Sequence, residues 1–354
     1  FNLMLANGGS LYIDDGKPAP GLFDLTLANL ALKSATISFN VPVGFAQLVT
    51  ALERDKALRE VYFSDLDMIF YAGASLPQET WAALEKLALD TCGQLPLITS
   101  SWGLTETAPA ALTSHVPAKG AGVVGVPVPG VTVKLVSDGD GRFDVRVKGD
   151  SITPGYLNDP NKTAKAFDDE DFFLTDDAMC FVDPDDVNKG LRFDGRMSED
   201  FKLMTGTWVR AANLRLALLE VLSPFAQDVV ITWQGRVSVW SFIVANRGAI
   251  AAQGWGAKEM NGAFHCDPLN KELSVRLNRL AAHSTGSATC ITCALVMADP
   301  PSMAQGEATA KGNINFAKLL ACRTALVHAL YDPTTPARIA LPAHTYPPKR
   351  PSPP

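Results

Sequence analysis

A hydroxyl and a carboxylate lie side by side just after a short predicted strand, in residues 102–106 (Trp-Gly-Leu-Thr-Glu). The glycine lets the chain turn there, so that Thr105 and Glu106 share one strand end. Mg²⁺ prefers hard oxygen ligands of this kind, and the pair therefore favours a site for a nucleotide phosphate with its magnesium ion. The alternative is a plain helix start, with Thr105 as the N-cap and Glu106 in the first turn.

Two further segments carry residues that suit a ligand site. Gly73, Ala74 and Ser75 follow the predicted strand at 66–71, where small residues let a ligand approach the backbone. An ordinary strand-to-helix turn has the same composition. Residues 172–177 (Phe-Phe-Leu-Thr-Asp-Asp) end on a carboxylate, which accepts hydrogen bonds. A solvated acidic loop is the alternative for this segment.

The elements that must position these residues alternate along the first 100 positions. Apolar periodicity and breakers predict helices at 20–33, 44–63 and 77–92, and strands at 35–40, 66–71 and 96–100. Strands that alternate with helices indicate a parallel sheet. From about residue 120 the pattern changes to short strands between Gly/Pro turns, which predicts an antiparallel meander or a small barrel.

A second region follows a boundary at about 195–200. Its pattern predicts a compact α+β domain with helices at 210–222, 269–282 and 316–331, and strands at 227–233, 237–245 and 288–297. We therefore predict domains at 1–197 and 198–331. Many prolines after residue 331 predict a disordered or extended tail at 332–354. The chain begins with Phe1 in the middle of an apolar pattern, and we expect a fragment of a longer protein.

Composition excludes several classes of protein. With 47% hydrophobic and 19% charged residues the chain can bury full cores. Its net charge of −6 (31 Lys+Arg against 37 Asp+Glu) argues against a nucleic-acid partner. We also expect no membrane span, because no apolar run approaches about 18 residues. The six cysteines are scattered and indicate reduced core thiols of a cytoplasmic protein. Cys290 and Cys293 lack a second ligand pair, which favours a buried strand over a zinc or redox site.

Taken in order, several segments resemble the adenylate-forming superfamily of acyl-CoA synthetases: 71–76, 102–106, 125–130 (Gly-Val-Pro-Val-Pro-Gly), 172–177 and 193–209. The resemblance covers about 1–331. It implies an α/β and α+β fold: part of a large adenylation domain, with a parallel sheet, helices and a small β-barrel subdomain, then a small mobile α+β domain.

The resemblance also implies roles for single residues in the first region. Thr105 would contact phosphate and Glu106 would bind Mg²⁺. Asp177 would accept hydrogen bonds from the ribose hydroxyls of ATP. Gly73, Ala74 and Ser75 would lie against the adenine and the acyl pocket. Trp102 stands where the family usually has tyrosine and would stack, and Asp176 stands where the family has glycine.

Residues 193–209 resemble the family's hinge segment, and their Glu-Asp-Phe-Lys-Leu-x-Thr-Gly-Thr-Trp-Val form resembles the feruloyl-CoA synthases. Arg196 would reach ribose or phosphate, and Lys202 is a further candidate for nucleotide binding. The hinge on which the small domain swings would lie at Ser198, Glu199 or Asp200.

Most relatives carry a lysine that stabilises the adenylation transition state, in a Thr-x-x-Gly-Lys segment. Here the order is Lys311-Gly312, and a strict register places Asn313 at the lysine position. Lys311 is our candidate, because lysine acts as a mobile point charge on phosphate. A surface-loop lysine is the alternative. The family's Ser/Thr/Gly phosphate loop, which would cradle phosphates through backbone N–H groups, is not in these 354 residues.

The resemblance implies an acid–thiol ligase that uses ATP, Mg²⁺ and CoA. Ferulate or a related hydroxycinnamate would be activated to an acyl-adenylate and transferred to CoA. Another aryl- or fatty-acyl-CoA ligase is one alternative. A non-catalytic nucleotide-binding remnant is the other, because the phosphate loop is missing from the chain. The sequence does not indicate an oligomeric state.

Overall fold

The computed structural model describes residues 1–18, 21–73, 76–139, 141–232, 238–256, 258–284, 286–309 and 314–341. Contacts divide the chain into two compact units, Phe1–Phe193 and Asp194–Pro354. Each unit has its own sheet and its own buried core, so we describe them separately.

The first unit combines six helices with nine strands among the described residues. The helices are α1 (Asn2–Ala6), α2 (Phe23–Leu30), α3 (Pro42–Arg54), α4 (Lys56–Phe63), α5 (Gln78–Cys92) and α6 (Pro160–Lys165). The strands are β1 (Ile37–Asn40), β2 (Met68–Tyr71), β3 (Leu97–Trp102), β4 (Leu112–Thr113), β5 (Val123–Pro127), β6 (Val131–Gly139), β7 (Arg142–Gly149), β8 (Phe173–Phe181) and β9 (Leu191–Arg196), which runs past the unit's last residue.

These strands form one sheet in the order β1-β2-β3-β4-β5-β9-β8-β7-β6. The first three are parallel, with Ile37 opposite Met68 and Met68 opposite Leu97, as the alternating pattern predicted. From β3 onward the pairings β3-β4, β4-β5, β5-β9, β6-β7 and β7-β8 are antiparallel. The described pairings form one open path, which corresponds to the predicted meander.

The single helix predicted at 44–63 is wrong, because the chain forms two helices there. Asp55 adopts an extended conformation (φ −113°, ψ 101°), and its carboxylate accepts a hydrogen bond from the Leu58 backbone N–H at 3.0 Å. An aspartate in this position caps the start of a new helix. Phe45 and Leu52 still face the core, since both are fully buried on α3.

A charged cluster ties β6 and β7 to the loop before β8. The Asp168 carboxylate lies 2.9 Å from Lys134 Nζ and 2.9 Å from Arg146 Nη1. Its other oxygen accepts hydrogen bonds from the backbone N–H groups of Glu170 and Phe172, both at 3.0 Å. Hydrogen bonding to Lys134, then to backbone and Arg146, holds the pKa of Asp168 well below its usual range.

The second unit has five helices and eight strands among its described residues, besides the end of β9. The helices are α7 (Ala211–Leu222), α8 (Arg247–Ala252), α9 (Asp267–Ala282), α10 (Phe316–Cys322) and α11 (Thr324–Tyr331). The strands are β10 (Phe201–Lys202), β11 (Trp208–Val209), β12 (Ala226–Thr232), β13 (Val239–Ala245), β14 (Lys258–Met260), β15 (Ala263–His265), β16 (Ile291–Met297) and β17 (Arg338–Ala340). The single helix predicted at 316–331 is therefore interrupted, at Arg323.

The main sheet of this unit has the order β12-β13-β16-β15-β14, with β17 paired to β16. Successive side chains on a strand point to opposite faces, and the two faces bury different clusters. On β13, Ile243 belongs to the cluster that includes α7 and α9, whereas Phe242 belongs to the cluster that includes α10 and α11. The region is therefore a sheet with helices on both faces.

Two expectations about individual segments need correction. Arg338–Ala340 pair with Cys293–Leu295 of β16, and Ile339 is 3% exposed, so this part of the predicted tail is folded. Residues 342–354 lie outside the described residues. Cys290 and Cys293 are buried as predicted, but Cys92 and Cys322 are exposed and are not core thiols. No helix in the described part of the chain combines the length and apolar character needed to cross a membrane.

Candidate active site

The first unit places two of the predicted site segments at neighbouring strand ends. Tyr71 on β2 pairs with Ser100 on β3, so Gly73 and Trp102 both lie two residues beyond the same pairing. Gly73 has φ +89°, a backbone conformation that favours glycine. The other two small residues, Ala74 and Ser75, lie outside the described residues.

Trp102 and Asp177, which are 75 residues apart in sequence, meet directly. The Trp102 indole Nε1–H donates a hydrogen bond to Asp177 Oδ2 at 2.8 Å. Both side chains are buried, with Trp102 7% and Asp177 3% exposed. A hydrogen bond to a carboxylate is stronger than one between neutral groups. This hydrogen bond therefore fixes the direction in which the buried Asp177 carboxylate points.

An irregularity in β8 turns Asp177 toward Trp102. Three β8 residues, 175–177, face one residue of the neighbouring strand, Val145 on β7. The Thr175 hydroxyl donates to the Val145 carbonyl at 2.5 Å and accepts from the Asp177 N–H at 3.1 Å. Bulges of this kind redirect side chains next to functional sites. Asp176, where the resemblance implies a glycine, adopts φ +63°, a left-handed backbone conformation that favours glycine.

Thr105 and Glu106 lie in a one-turn 3-10 helix, Thr105–Thr107, just after β3. The preceding Gly103 has no room for a side chain, because an added Cβ would lie 1.8 Å from the Pro109 carbonyl oxygen. The alternative role of Thr105 as an N-cap is wrong: Leu104 precedes the turn, and its N–H donates to the Thr107 hydroxyl at 2.8 Å. Thr105 itself is exposed.

Glu106 is held at two points by a segment that the sequence reasoning missed. The Tyr156 hydroxyl donates to Glu106 Oε1 at 2.9 Å, and the Thr153 N–H donates to the Glu106 backbone carbonyl at 2.8 Å. Burial, and next the hydrogen bond to Glu106, raise the pKa of the Tyr156 hydroxyl. In the sequence, Tyr156 stands in a Gly-Tyr pair shortly before Asp159, the cap of α6. This local pattern does not indicate a contact with Glu106, 50 positions earlier.

The donors near Glu106 fit a magnesium ion that arrives with its nucleotide. Mg²⁺ is usually held by one or two carboxylates together with substrate phosphates and water. Glu106 supplies a half-buried carboxylate and Thr105 an exposed hydroxyl. Among the described residues no group of three or more His, Cys, Asp or Glu side chains could hold a metal ion by itself. The donor set therefore suits a shared ion.

In the second unit the predicted hinge lies in a second one-turn 3-10 helix, Met197–Glu199. Arg196 precedes the turn and is exposed, as is Ser198, while Glu199 is half-buried. Asp200 follows in an extended conformation, and its Oδ1 accepts a hydrogen bond from the Ala211 N–H at 3.2 Å, at the start of α7.

Lys202 lies on a short hairpin after this turn. It pairs with Trp208, and its Nζ lies 5.7 Å from the centre of the Trp208 ring. Both side chains are exposed. A cation over an exposed indole contributes about 0.5–1 kcal/mol. Lys202 is therefore available to solvent on a defined hairpin.

Lys311 lies outside the described residues. Ala308 and Ile314 form an antiparallel bridge. Next to it, the fully buried Glu307 carboxylate accepts two hydrogen bonds from Arg323, at 2.9 and 2.7 Å. Hydrogen bonding to Arg323 lowers the pKa of Glu307. This ion pair fixes the base of the segment that carries Lys311.

The sequence is similar to curated ligases over part of its length. Residues 1–157 match the family model described as AMP-binding enzyme. A malonate–CoA ligase from Arabidopsis thaliana is 28% identical over 194 residues, which cover 53% of this chain and 30% of the relative. The putative fatty-acid–CoA ligase fadD11 from Mycobacterium tuberculosis is 27% identical over 152 residues, covering 43% and 24%. The matched part of the chain thus spans 30% and 24% of the lengths of these two relatives.

Solved structures share the fold. The adenylation domain of a carboxylate reductase from Mycobacterium chelonae superposes with a TM-score of 0.69 at 19% identity, covering 93% of this chain and 51% of that one. The anthranilate CoA ligase AuaEII, in complex with anthranoyl-AMP, gives a TM-score of 0.65 at 18% identity, covering 91% and 55%. The predicted fold class, a mixed α/β adenylation fold, is confirmed.

Proposed function

We propose that this chain, whose residues 1–157 match the AMP-binding enzyme family model, is part of an AMP-forming acid–thiol ligase. The observation that carries the proposal is the buried Asp177 carboxylate, fixed by Trp102 at the strand end from which Thr105 and Glu106 emerge. A fixed carboxylate bonded to Trp102, with an exposed hydroxyl and a half-buried carboxylate in the turn that follows the same strand, suits a nucleotide with its metal ion.

In the first step a carboxylate oxygen of the acid attacks the α-phosphorus of ATP. The bond between the α-phosphorus and its bridging oxygen breaks, and pyrophosphate leaves. Asp177 accepts hydrogen bonds from the ribose hydroxyls, Thr105 contacts phosphate, and Glu106 is the protein ligand of Mg²⁺. When bound, Mg²⁺ supplies positive charge against the phosphate oxygens. Fixed groups of this kind act by orientation and by electrostatic stabilisation.

In the second step the CoA thiolate attacks the acyl carbonyl, a thioester forms and AMP leaves. Residues of the second unit act in both steps. Arg196 and Lys202 bind ribose or phosphate, Lys311 stabilises the adenylation transition state, and the segment Ser198–Asp200 is the hinge. Arg196 and Lys202 are exposed cations in the structure, which is compatible with binding an anion.

The acid is the least constrained part of the proposal. The form of residues 199–209 resembles the feruloyl-CoA synthases, and on that basis ferulate or a related hydroxycinnamate is the first substrate to test. The curated relatives act on malonate and on fatty acids according to their names. Those acids are therefore the competing candidates.

The experiment measures acid-dependent exchange of labelled pyrophosphate into ATP, followed by thioester formation with CoA, in the full-length protein. Ferulate, coumarate, benzoate, malonate and a long-chain fatty acid are compared. We expect exchange with ferulate, and Glu106→Ala should lower it on the order of 10²-fold. The control is Glu60→Ala, which removes an exposed carboxylate from an α4 surface ion pair with Lys56 and should leave the rate unchanged.

The outcomes separate the alternatives. Exchange with another acid only would replace ferulate as substrate and keep the ligase. ATP binding without exchange for any of the acids would refute the ligase and leave a nucleotide-binding remnant. Equal loss of activity in the Glu106 and Glu60 variants would contradict the assignment of Glu106 as the metal ligand.

A further inference from the structure

Tyr156 is fixed more firmly than a surface tyrosine of a loop would be. Its backbone N–H donates to the Thr163 hydroxyl at 2.9 Å, at the first turns of α6. Lys162 Nζ lies 3.7 Å from the centre of the Tyr156 ring. The Asp159 carboxylate caps α6 by accepting from the Lys162 N–H at 2.9 Å. The phenol therefore belongs to a small rigid assembly built on a helix start.

This assembly meets the segment after β3 at one residue, Glu106. The Tyr156 hydroxyl bonds Oε1 of its carboxylate, and the Thr153 N–H bonds its backbone carbonyl. With both the main chain and one carboxylate oxygen held, rotation of the Glu106 side chain is restricted. The other oxygen, Oε2, is then directed by the assembly.

We propose that Tyr156 is a positioning residue that orients the Glu106 carboxylate for the divalent cation bound with ATP. The inference rests on the proposed function, because it takes Glu106 as the protein ligand of that cation. Carboxylates that bind metals are themselves hydrogen-bonded, and loss of such a partner typically weakens metal affinity about 10–100-fold. The Lys162 cation lies over the ring and helps to hold the phenol in place.

The test separates metal binding from the rest of the nucleotide site. The dissociation constant of ATP is measured by calorimetry on the full-length protein, without acid substrate, once with Mg²⁺ and once with EDTA. The ratio of the two constants reports what the cation adds to binding. A change that merely loosens the fold alters both constants and leaves their ratio in place.

We expect Tyr156→Phe to reduce this ratio about tenfold, while the constant measured in EDTA and the melting temperature stay at their wild-type values. Glu106→Gln gives the baseline without the metal ligand. The matched control is Tyr12→Phe, which removes the hydroxyl of a tyrosine that is 69% exposed and contacts Lys33. Its ratio should equal that of the wild type.

The failures of the two proposals are distinguishable. If wild-type protein binds ATP equally in Mg²⁺ and EDTA, the metal role of Glu106 fails, and the proposed function loses its support there. If wild type depends on Mg²⁺ and Tyr156→Phe keeps the same ratio within twofold, only the positioning role is overturned. A lower melting temperature of Tyr156→Phe with an unchanged ratio would likewise overturn it and assign Tyr156 a purely structural role.

Discussion

The hydrogen bond from Trp102 to Asp177 makes a quantitative prediction about the stability of the first unit. Replacing Trp102 by phenylalanine removes the indole N–H while an aromatic ring remains in the core. The bond is 2.8 Å long, and both partners are more than nine-tenths buried. Water therefore cannot readily replace the lost donor, and the Asp177 carboxylate loses part of its compensation.

The expected loss follows from two contributions. A hydrogen bond to a charged group contributes about 1.5–3 kcal/mol. The smaller ring leaves space worth about 1–2 kcal/mol more, a fraction of the loss when an aromatic side chain is truncated to alanine. Trp102→Phe should therefore lower the free energy of unfolding by about 2.5–5 kcal/mol, toward the upper end of single substitutions.

A double-mutant cycle isolates the hydrogen bond from the change in ring size. Asp177→Asn keeps the volume and an acceptor oxygen but removes the charge, which weakens the bond by roughly half. In the Asp177→Asn background the loss caused by Trp102→Phe should therefore be about 1 kcal/mol smaller.

The assay is urea unfolding of the four proteins at pH 7, followed by tyrosine fluorescence and far-UV circular dichroism. Identical losses in both backgrounds, with a coupling energy below about 0.3 kcal/mol, would refute the reasoning. The ring contact alone would then explain the effect of Trp102→Phe. A coupling near 1 kcal/mol would support the charge-assisted bond.

Three further predictions concern other parts of the chain. At Asp176, where φ is +63°, glycine should be more stable than alanine by about 1 kcal/mol in urea unfolding, with the order reversed at the control position Asp185. The depressed pKa of Asp168 stabilises the fold above the pKa of the unfolded state, about 4, and this stability is lost as pH falls toward the lower folded value. Asp168→Asn should therefore make the free energy of unfolding fall less steeply below about pH 4. Urea titrations between pH 7 and pH 2 measure this difference. Arg323→Met should cost about 3–5 kcal/mol, because it leaves the buried Glu307 carboxylate without its cation, although the Ser302 N–H still donates to it at 2.7 Å. Adding Glu307→Gln should restore about 1–2 kcal/mol. A double variant less stable than Arg323→Met alone would contradict the last expectation.

Sequence patterns predicted the repeating elements well where local periodicity decides them. The parallel strands β1, β2 and β3 and the helix α5 follow from apolar spacing and breakers. The single helices predicted at 44–63 and 316–331 are wrong, because each is interrupted at one residue within a continuous apolar pattern. At Asp55 the side chain caps a new helix, and aspartate at that position was a readable signal. At Arg323 the partner is Glu307, 16 residues earlier, which periodicity does not reveal.

In the candidate site, too, the sequence predicted the local motifs but not the contacts between distant residues. Motif resemblance selected Thr105, Glu106 and Asp177, but it could not show how they are held. The partner of Asp177 is 75 residues away and that of Glu106 is 50 residues away. Such contacts depend on the order of strands in the sheet and on the bulge at residues 175–177. For this reason the sequence alone does not reveal the role of Tyr156. Trp102, in contrast, differs from the family pattern at a position that the sequence shows directly.

Two departures from that pattern meet at the Asp177 carboxylate. Trp102 stands where the resemblance implies a tyrosine, and its N–H, which can only donate, bonds Asp177. Asp176 stands where the resemblance implies a glycine, and it adopts a left-handed backbone conformation, φ +63°, within the bulge. Its side chain is exposed, so water and salt screen its added negative charge. Asp176 therefore lowers the stability of the fold mainly through its left-handed backbone conformation. The Trp102 indole N–H, in turn, stabilises the buried carboxylate of Asp177. The bulge thus sets the position of Asp177, and the hydrogen bond from Trp102 sets its orientation.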